Sequence, residues 1–396
     1  MISGFLIVRM LSPDQFGLYS GVGIYLGYIL LGNFGIINGL GRELPYELGR
    51  GKNEYAKELA SSVFVLVIFL SLLAMIFFLS FSIFCFVNNE NILGLIFLSY
   101  AVVSAFYLLN KQFLPTLYRT NNDFNSLSRQ NIILGFVNLI TVALVFFFQI
   151  YGLILRGIVL AIYEFYLLYK NKPYKLYCKI NFSHYKYLIK TGFPIYMVGQ
   201  VNPLWVTILN SLLFSMGGAN YFGLYSLSNI VQGAIGIIPA SFSGVIYPKM
   251  AIMFGEGKSI TQILYVNKKP LIFQFVFILL IAIICALLLP FVIPKILPKY
   301  VDGISAAQWM CFVPVVLSFS ALNNLYNILK KQKWYFISLI FGAVIGSLFV
   351  WISIKNNGFN LNIFPKGLIL GSVIQQSLSY VFLHYIIKKH EHSYST

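Results

Sequence analysis

TGFPIYMVGQVNPLWVTILNSLLFSMGGANYFGLYSLSNIVQGAIGIIPASFSGVIYP, residues 191–248, runs for 58 positions between Lys190 and Lys249 without a charged side chain. A helix rising 1.5 Å per residue crosses ~30 Å of hydrocarbon in about 20 residues. The stretch is therefore read as two membrane helices, and Ser215-Met216-Gly217-Gly218-Ala219-Asn220 supplies the turn between them. The same absence of charge recurs at 15–41, 59–89, 91–110, 130–155, 270–294, 303–329, 334–354 and 367–387. A further span over about 151–169 follows Tyr151-Gly152 and carries Arg156 and Glu164. The expectation is an all-α, polytopic integral membrane protein with eleven complete spans.

Composition agrees. Of 396 residues 59% are hydrophobic, only 10% are charged, and the mean hydropathy is +0.80. Soluble domains carry about a quarter charged residues, so a water-soluble fold is excluded. An aromatic content of 17% excludes intrinsic disorder. The net charge of +17 admits either nucleic-acid binding or membrane topology, and position along the chain decides. Taken in alternate loops, 22 of the 28 basic residues fall on one side of the membrane. Arg9, Arg156, Lys295, Lys299, Lys355 and Lys366 fall on the other. That asymmetry places the long loops and the C-terminus in the cytoplasm, and no nucleic acid is needed to explain the charge. Segment 170–190, KNKPYKLYCKINFSHYKYLIK, is read as a basic amphipathic linker on an anionic inner leaflet, so that membrane lipids are partners. It separates an N-terminal bundle, 1–169, from a C-terminal bundle, 191–396.

The chain also repeats itself. Phe16-Gly17-Leu18-Tyr19-Ser20 recurs as Phe222-Gly223-Leu224-Tyr225-Ser226, and Gly49-x-Gly51-Lys52 as Gly255-x-Gly257-Lys258, at the same offset. Ile24, Gly27 and Ile29 match Ile230, Gly233 and Ile235 in the same register. In the second copy a helix precedes Phe222, so a first helix is expected before Phe16, of which Met1–Val8 is the end. A short re-entrant or interfacial segment is the other reading of those residues. The full plan is two parallel six-helix bundles facing a central cavity, a geometry suited to alternating access.

Enzyme signatures are missing. His184, His384, His390 and His392 form no HExxH, and Cys85, Cys178, Cys285 and Cys311 show no CxxC spacing. Walker and Gly-x-Ser-x-Gly motifs are absent, as is an acidic metal cluster, so no catalytic residue, cofactor or metal is assigned. Ionisable residues at membrane depth are then the functional candidates. Arg156 and Glu164 lie eight apart on one helix, about 80° around its axis, with Glu164 nearer the cytoplasm. Arg9 stands near the outer rim and Arg42 at the cytoplasmic mouth, where positive-inside topology is the simpler explanation. Among embedded amides, Gln200, Asn202, Asn323 and Asn324 are the cavity candidates, although helix–helix hydrogen bonding accounts for such residues too.

The string Arg9-Met10-Leu11-Ser12-Pro13-Asp14-Gln15-Phe16-Gly17-Leu18-Tyr19 resembles the N-terminal signature of the Wzx-type O-antigen and capsular polysaccharide repeat-unit flippases. These are polysaccharide transporters of the MOP superfamily, distantly related to the MATE exporters. The likeness continues through Gly35-Ile36, Gly49-Arg50-Gly51-Lys52 and Phe222-Gly223-Leu224-Tyr225 to Tyr247-Pro248-Lys249. It implies an inner-membrane protein of lipopolysaccharide or capsule assembly that moves undecaprenyl-pyrophosphate-linked oligosaccharide to the outer leaflet. It also implies association with other polysaccharide assembly proteins. Arg9, Arg42 and Arg156 are then expected to meet the anionic headgroup, with Gln200, Asn202, Asn323 and Asn324 along the route. Glu164 is the candidate for ion coupling. A cation-coupled multidrug exporter is the alternative of the same architecture, and an integral-membrane glycan polymerase, normally built around a large outer loop, is the rival of another class.

Overall fold

The computed structural model describes residues 2–329 and 331–392, which are helical wherever they are regular. Two compact units divide the chain, Ile2–Thr207 and Ile208–Thr396. The first contains α1 (Ile2–Met10), α2 (Pro13–Ile29), α3 (Ile36–Gly49), α4 (Asn53–Val87), α5 (Asn91–Leu108), α6 (Leu114–Thr120), α7 (Phe124–Ile140) and α8 (Val142–Lys170). Helix α9 (Phe182–Gly255) begins there too, and its residues beyond 207 belong to the second unit. The second unit continues with α10 (Ile260–Ile296), α11 (Ile304–Met310), α12 (Val313–Leu317), α13 (Asn324–Ile328), α14 (Gln332–Asn357) and α15 (Ile363–His392).

Among the described residues seven helices are long and apolar enough to cross a membrane. The bent pair Pro13–Asn33 and Ile36–Gly49, at 51° to each other, makes an eighth if it is one span. Helix α4 shows how such a helix sorts its residues. Ala60, Val63, Val67, Ser71, Ala74, Phe78, Ser82 and Cys85, spaced three or four apart, are buried. Phe69, Leu73, Ile76 and Phe84 project outward. The buried stripe is small and hydroxylated, so helices approach closely, and the exposed side is the apolar one, as lipid requires. Ser82 donates to the carbonyl of Gly94 across the contact between α4 and α5.

The internal repeat is written into the backbone. Gly51 and Gly257 both take a left-handed conformation, at φ 76° and 80°. Around the first, the amide of Gly51 donates to Leu48 and that of Lys52 to Glu47. Around the second, Gly257 donates to Phe254 and Lys258 to Met253, the same two closures of a helix C-terminus. The Phe-Gly-Leu-Tyr copies are packing elements in both halves: Tyr19 rests on Tyr100, and buried Tyr225 meets Phe364 edge-on.

The charge-free stretches meet the structure in different ways. The reversal inside α9 falls at Gly218 (φ 69°), within the turn expected from the sequence. The break expected at Tyr151-Gly152 lies earlier, at Thr141 and at Gln149 (φ 48°), and Gly152 lets the chain fold back because a Cβ there would strike the Leu144 carbonyl. Stretch 303–329, read as one span, corresponds to one of the seven, residues 298–328, which is built of short α and 3₁₀ turns and not of one regular helix, a detail that apolar composition alone does not reveal. Helix α9 starts at Phe182, because Asn181 caps it by accepting from the Ser183 amide, and lysines on an exposed helix face do not end a helix. Helix α1 has nine residues and buries Ile7 and Val8.

Candidate functional site

The N-terminal unit holds a polar cavity of about 380 Å³, and a broken helix shapes it. Asn33 and Phe34 interrupt the chain between α2 and α3, and Gly35 enters α3 at φ 81°. Glycine is required there, since a Cβ would lie 2.9 Å from the Gly192 carbonyl carbon of α9. Asn33, 2% exposed, holds the break with all of its amide groups. It accepts from the Gly35 amide at 2.8 Å and donates to the Leu30 carbonyl and to Gln112 Oε1, each at 2.8 Å. Gln112 and Lys111 sit on a single π-turn, Leu109–Phe113, that joins α5 to α6. An extra residue in a turn widens the helix and redirects its side chains, an arrangement often found at functional positions.

The wall is completed by Asn38 of α3, by Thr116 and Arg119 of α6, and by Gln200 of α9. Lys111 is bound: its Nζ donates to both carboxylate oxygens of Glu164, at 2.7 Å each. Arg119 is exposed, and its guanidinium has no ion pair or side-chain hydrogen bond among the described residues. The cavity therefore carries one neutralised cation, one free planar guanidinium, and amide and hydroxyl groups. That set suits an anionic ligand with several oxygens, such as a phosphate ester.

The residues proposed from sequence are dispersed. Gln200 lines this cavity, and Glu164 borders it through Lys111. Arg9 is exposed on α1 and Arg42 is 62% exposed beside Glu43, neither among the cavity's lining residues. Arg156 lies two turns from Glu164 and donates Nη2 to Asn138 Oδ1 at 2.9 Å, while its Nε is buried without a partner. Asn202 is half-buried with an unpartnered Oδ1. Asn323 and Asn324 lie in the C-terminal unit. Asn323 donates to Gln376 and accepts from Ser379, and Asn324 donates to Ser243. Asn323 and Gln376 border a second, mainly apolar pocket of about 580 Å³.

Sequence reasoning passed over Lys111 and Arg119, which it assigned to topology, and two buried carboxylates. Glu43 and Glu47, 6% and 5% exposed, share one face of α3 with Leu40 and Leu44. The spacing 40, 43, 44, 47 is the signal that places them inward. Tyr187 donates its hydroxyl to Glu43, while Arg50 and Lys52 stand 3.7 and 3.8 Å from Glu47. These contacts pin the end of α3 to α9 and to the loop that follows α3.

Comparison with known proteins accords with this architecture. No curated protein sequence matches the chain significantly. Among solved structures, a multidrug resistance MATE family transporter of the MOP superfamily in an inward-facing conformation superimposes with a TM-score of 0.81 at 14% identity. That match covers 98% of this chain and 93% of the other. A MATE protein in a bent conformation gives a TM-score of 0.60 at 14% identity, over 99% and 95% of the two chains. A MOP superfamily transporter from Pyrococcus furiosus, described by the reverse polarity of its binding pocket, gives 0.54 at 14%, over 98% and 91%. At such identities the likeness is one of fold, which is that of the MATE-type membrane transporters. Residues 6–269 match the family described as Polysaccharide biosynthesis protein, two-thirds of the sequence, and the chain belongs to that family.

Proposed function

We propose that this protein is a flippase that moves undecaprenyl-pyrophosphate-linked oligosaccharide units from the cytoplasmic to the outer leaflet by alternating access. It would reside in the bacterial cytoplasmic membrane with its C-terminus in the cytoplasm and act as a transporter, not an enzyme. The observation that carries the reading is the pairing of polysaccharide-biosynthesis family membership with a transporter fold. A pyrophosphate crossing hydrocarbon needs a wet, cation-bearing path, while its polyprenyl tail can remain in lipid. Arg119 offers a free guanidinium beside neutral hydrogen-bonding groups, and Lys111 a second cation. Arg9, Arg42 and Arg156 are further headgroup contacts in this reading, Gln200, Asn202, Asn323 and Asn324 polar contacts along the path, and Glu164 an ion-coupling group. A free guanidinium also disfavours cationic drugs, the cargo that the fold alone would suggest.

The test is reconstitution in vesicles with fluorescent lipid-linked oligosaccharide, scoring its arrival in the opposite leaflet. Transport above protein-free vesicles is expected, and no transport overturns the reading. Arg156→Ala or Glu164→Gln at wild-type expression with unchanged flipping removes those residues from the mechanism.

A further inference from the structure

Two facts about the cavity stand together. Lys111, one of its two lining cations, is 51% exposed and reachable, yet its ammonium is held by both oxygens of Glu164. Glu164 is 17% exposed and reaches across from α8, and its carboxylate makes no other polar contact among the described residues. We propose that Glu164 is the resident counter-ion of this cavity and that an incoming diphosphate must displace it from Lys111 to be held between Lys111 and Arg119. This rests on the reading of the cavity as a site for an anionic headgroup.

The physical argument is one of competition. A terminal phosphate meeting only Arg119 gains one charge-assisted, bidentate contact. A diphosphate, longer and more highly charged, can span to Lys111, but two anions then contend for one ammonium. The carboxylate that loses is left largely buried and unpaired, which opposes binding. The pair therefore weakens the bound state and favours release, and when the anion leaves Glu164 returns to Lys111. A purely structural ion pair predicts the reverse, because removing its carboxylate leaves Lys111 unanchored and the cavity wall disordered.

The sign of one measurement separates the two. Inorganic pyrophosphate and inorganic phosphate are titrated by calorimetry into the detergent-solubilised full chain and its variants, with melting temperature as a check on folding. Glu164→Gln is expected to bind pyrophosphate about ten-fold tighter than wild type, equivalent to about 1.4 kcal/mol. Its effect on phosphate is expected to be smaller. Glu164→Asp, which retains the charge, should stay near wild type, and Lys111→Gln should bind more weakly with or without Glu164→Gln. Wild-type binding with Glu164→Gln unchanged or weaker overturns the counter-ion role and leaves the proposed function standing. No pyrophosphate binding by wild type, Glu164→Gln and Arg119→Gln alike at millimolar concentration overturns both. If Glu164→Gln does not fold, a wild-type-like affinity in Glu164→Asp together with undiminished binding in Lys111→Gln overturns the proposal on its own.

Discussion

Replacing Asn33 by alanine tests whether one buried amide holds both the broken helix and the cavity. The side chain makes three hydrogen bonds of 2.8 Å at 2% exposure, and truncation removes all of them. Their loss is unequal. The Leu30 carbonyl keeps a second donor, the Tyr196 hydroxyl at 3.3 Å, and Gln112 borders the cavity, where water can reach it. Each of those two bonds is worth about 0.6 kcal/mol by the average for side-chain bonds in membrane proteins. The Gly35 amide is left orphaned beside a left-handed glycine, at a cost of ~1–3 kcal/mol. The expected destabilisation is about 2–4 kcal/mol, read as the unfolding free energy in an SDS titration. Asn33→Ser offers a hydroxyl that still accepts from the Gly35 amide but cannot reach Gln112, so it should recover about half of that loss. Gln112, released from its anchor in both variants, should bind pyrophosphate less well in both. Asn33→Ala within about 0.5 kcal/mol of wild type, or Asn33→Ser as damaging as Asn33→Ala, would refute the account of the break.

Three other perturbations follow from the same packing. Gly51→Ala and Gly257→Ala place a Cβ at φ 76° and 80°, and each should lose ~1–2 kcal/mol. Matched losses in unfolding titrations support two copies of one C-cap, and a loss at only one site counts against it. Gly39→Ala sets a Cβ 2.2 Å from the Leu188 carbonyl oxygen, and Gly192→Ala one 2.3 Å from the Gly39 amide nitrogen. Each should destabilise by ~1–3 kcal/mol, with non-additive effects in the double variant because the two sites share one contact. Arg119→Gln removes the cavity's free guanidinium without touching a packed group, so melting temperature should hold while vesicle transport falls at least ten-fold; equal transport removes Arg119 from the path.

Much of the fold is legible in the sequence because the membrane imposes it. An apolar run of fixed length must be helical, since hydrocarbon satisfies no backbone group. The turn at Gly218 and the paired caps at Gly51 and Gly257 are local events dictated by glycine, so they could be read at matching offsets. The span at 303–329 was legible too, but not the short turns inside it, because 3₁₀ and α turns use the same apolar residues as a straight helix. The cavity was less legible. Arg156 and Glu164 share a helix, and their spacing places them on neighbouring faces, but spacing says nothing about partners. Asn138, 18 residues away, takes the first, and Lys111, 53 residues away, takes the second.

By itself, then, the sequence determined that the chain is a helical membrane protein, that it is internally duplicated, and that it resembles polysaccharide-unit flippases. Hydropathy, glycine positions and charge asymmetry act over a few residues each and need no tertiary context. Only the tertiary structure decided which charges are spent and which are free. Lys111 is neutralised by Glu164, Arg156 is held by Asn138, and Glu43 and Glu47 are drawn inward, while Arg119 remains open to a cavity. A charge is committed by whatever packing brings within about 3 Å of it, and the partners of Lys111, Arg156 and Glu43 come from other helices.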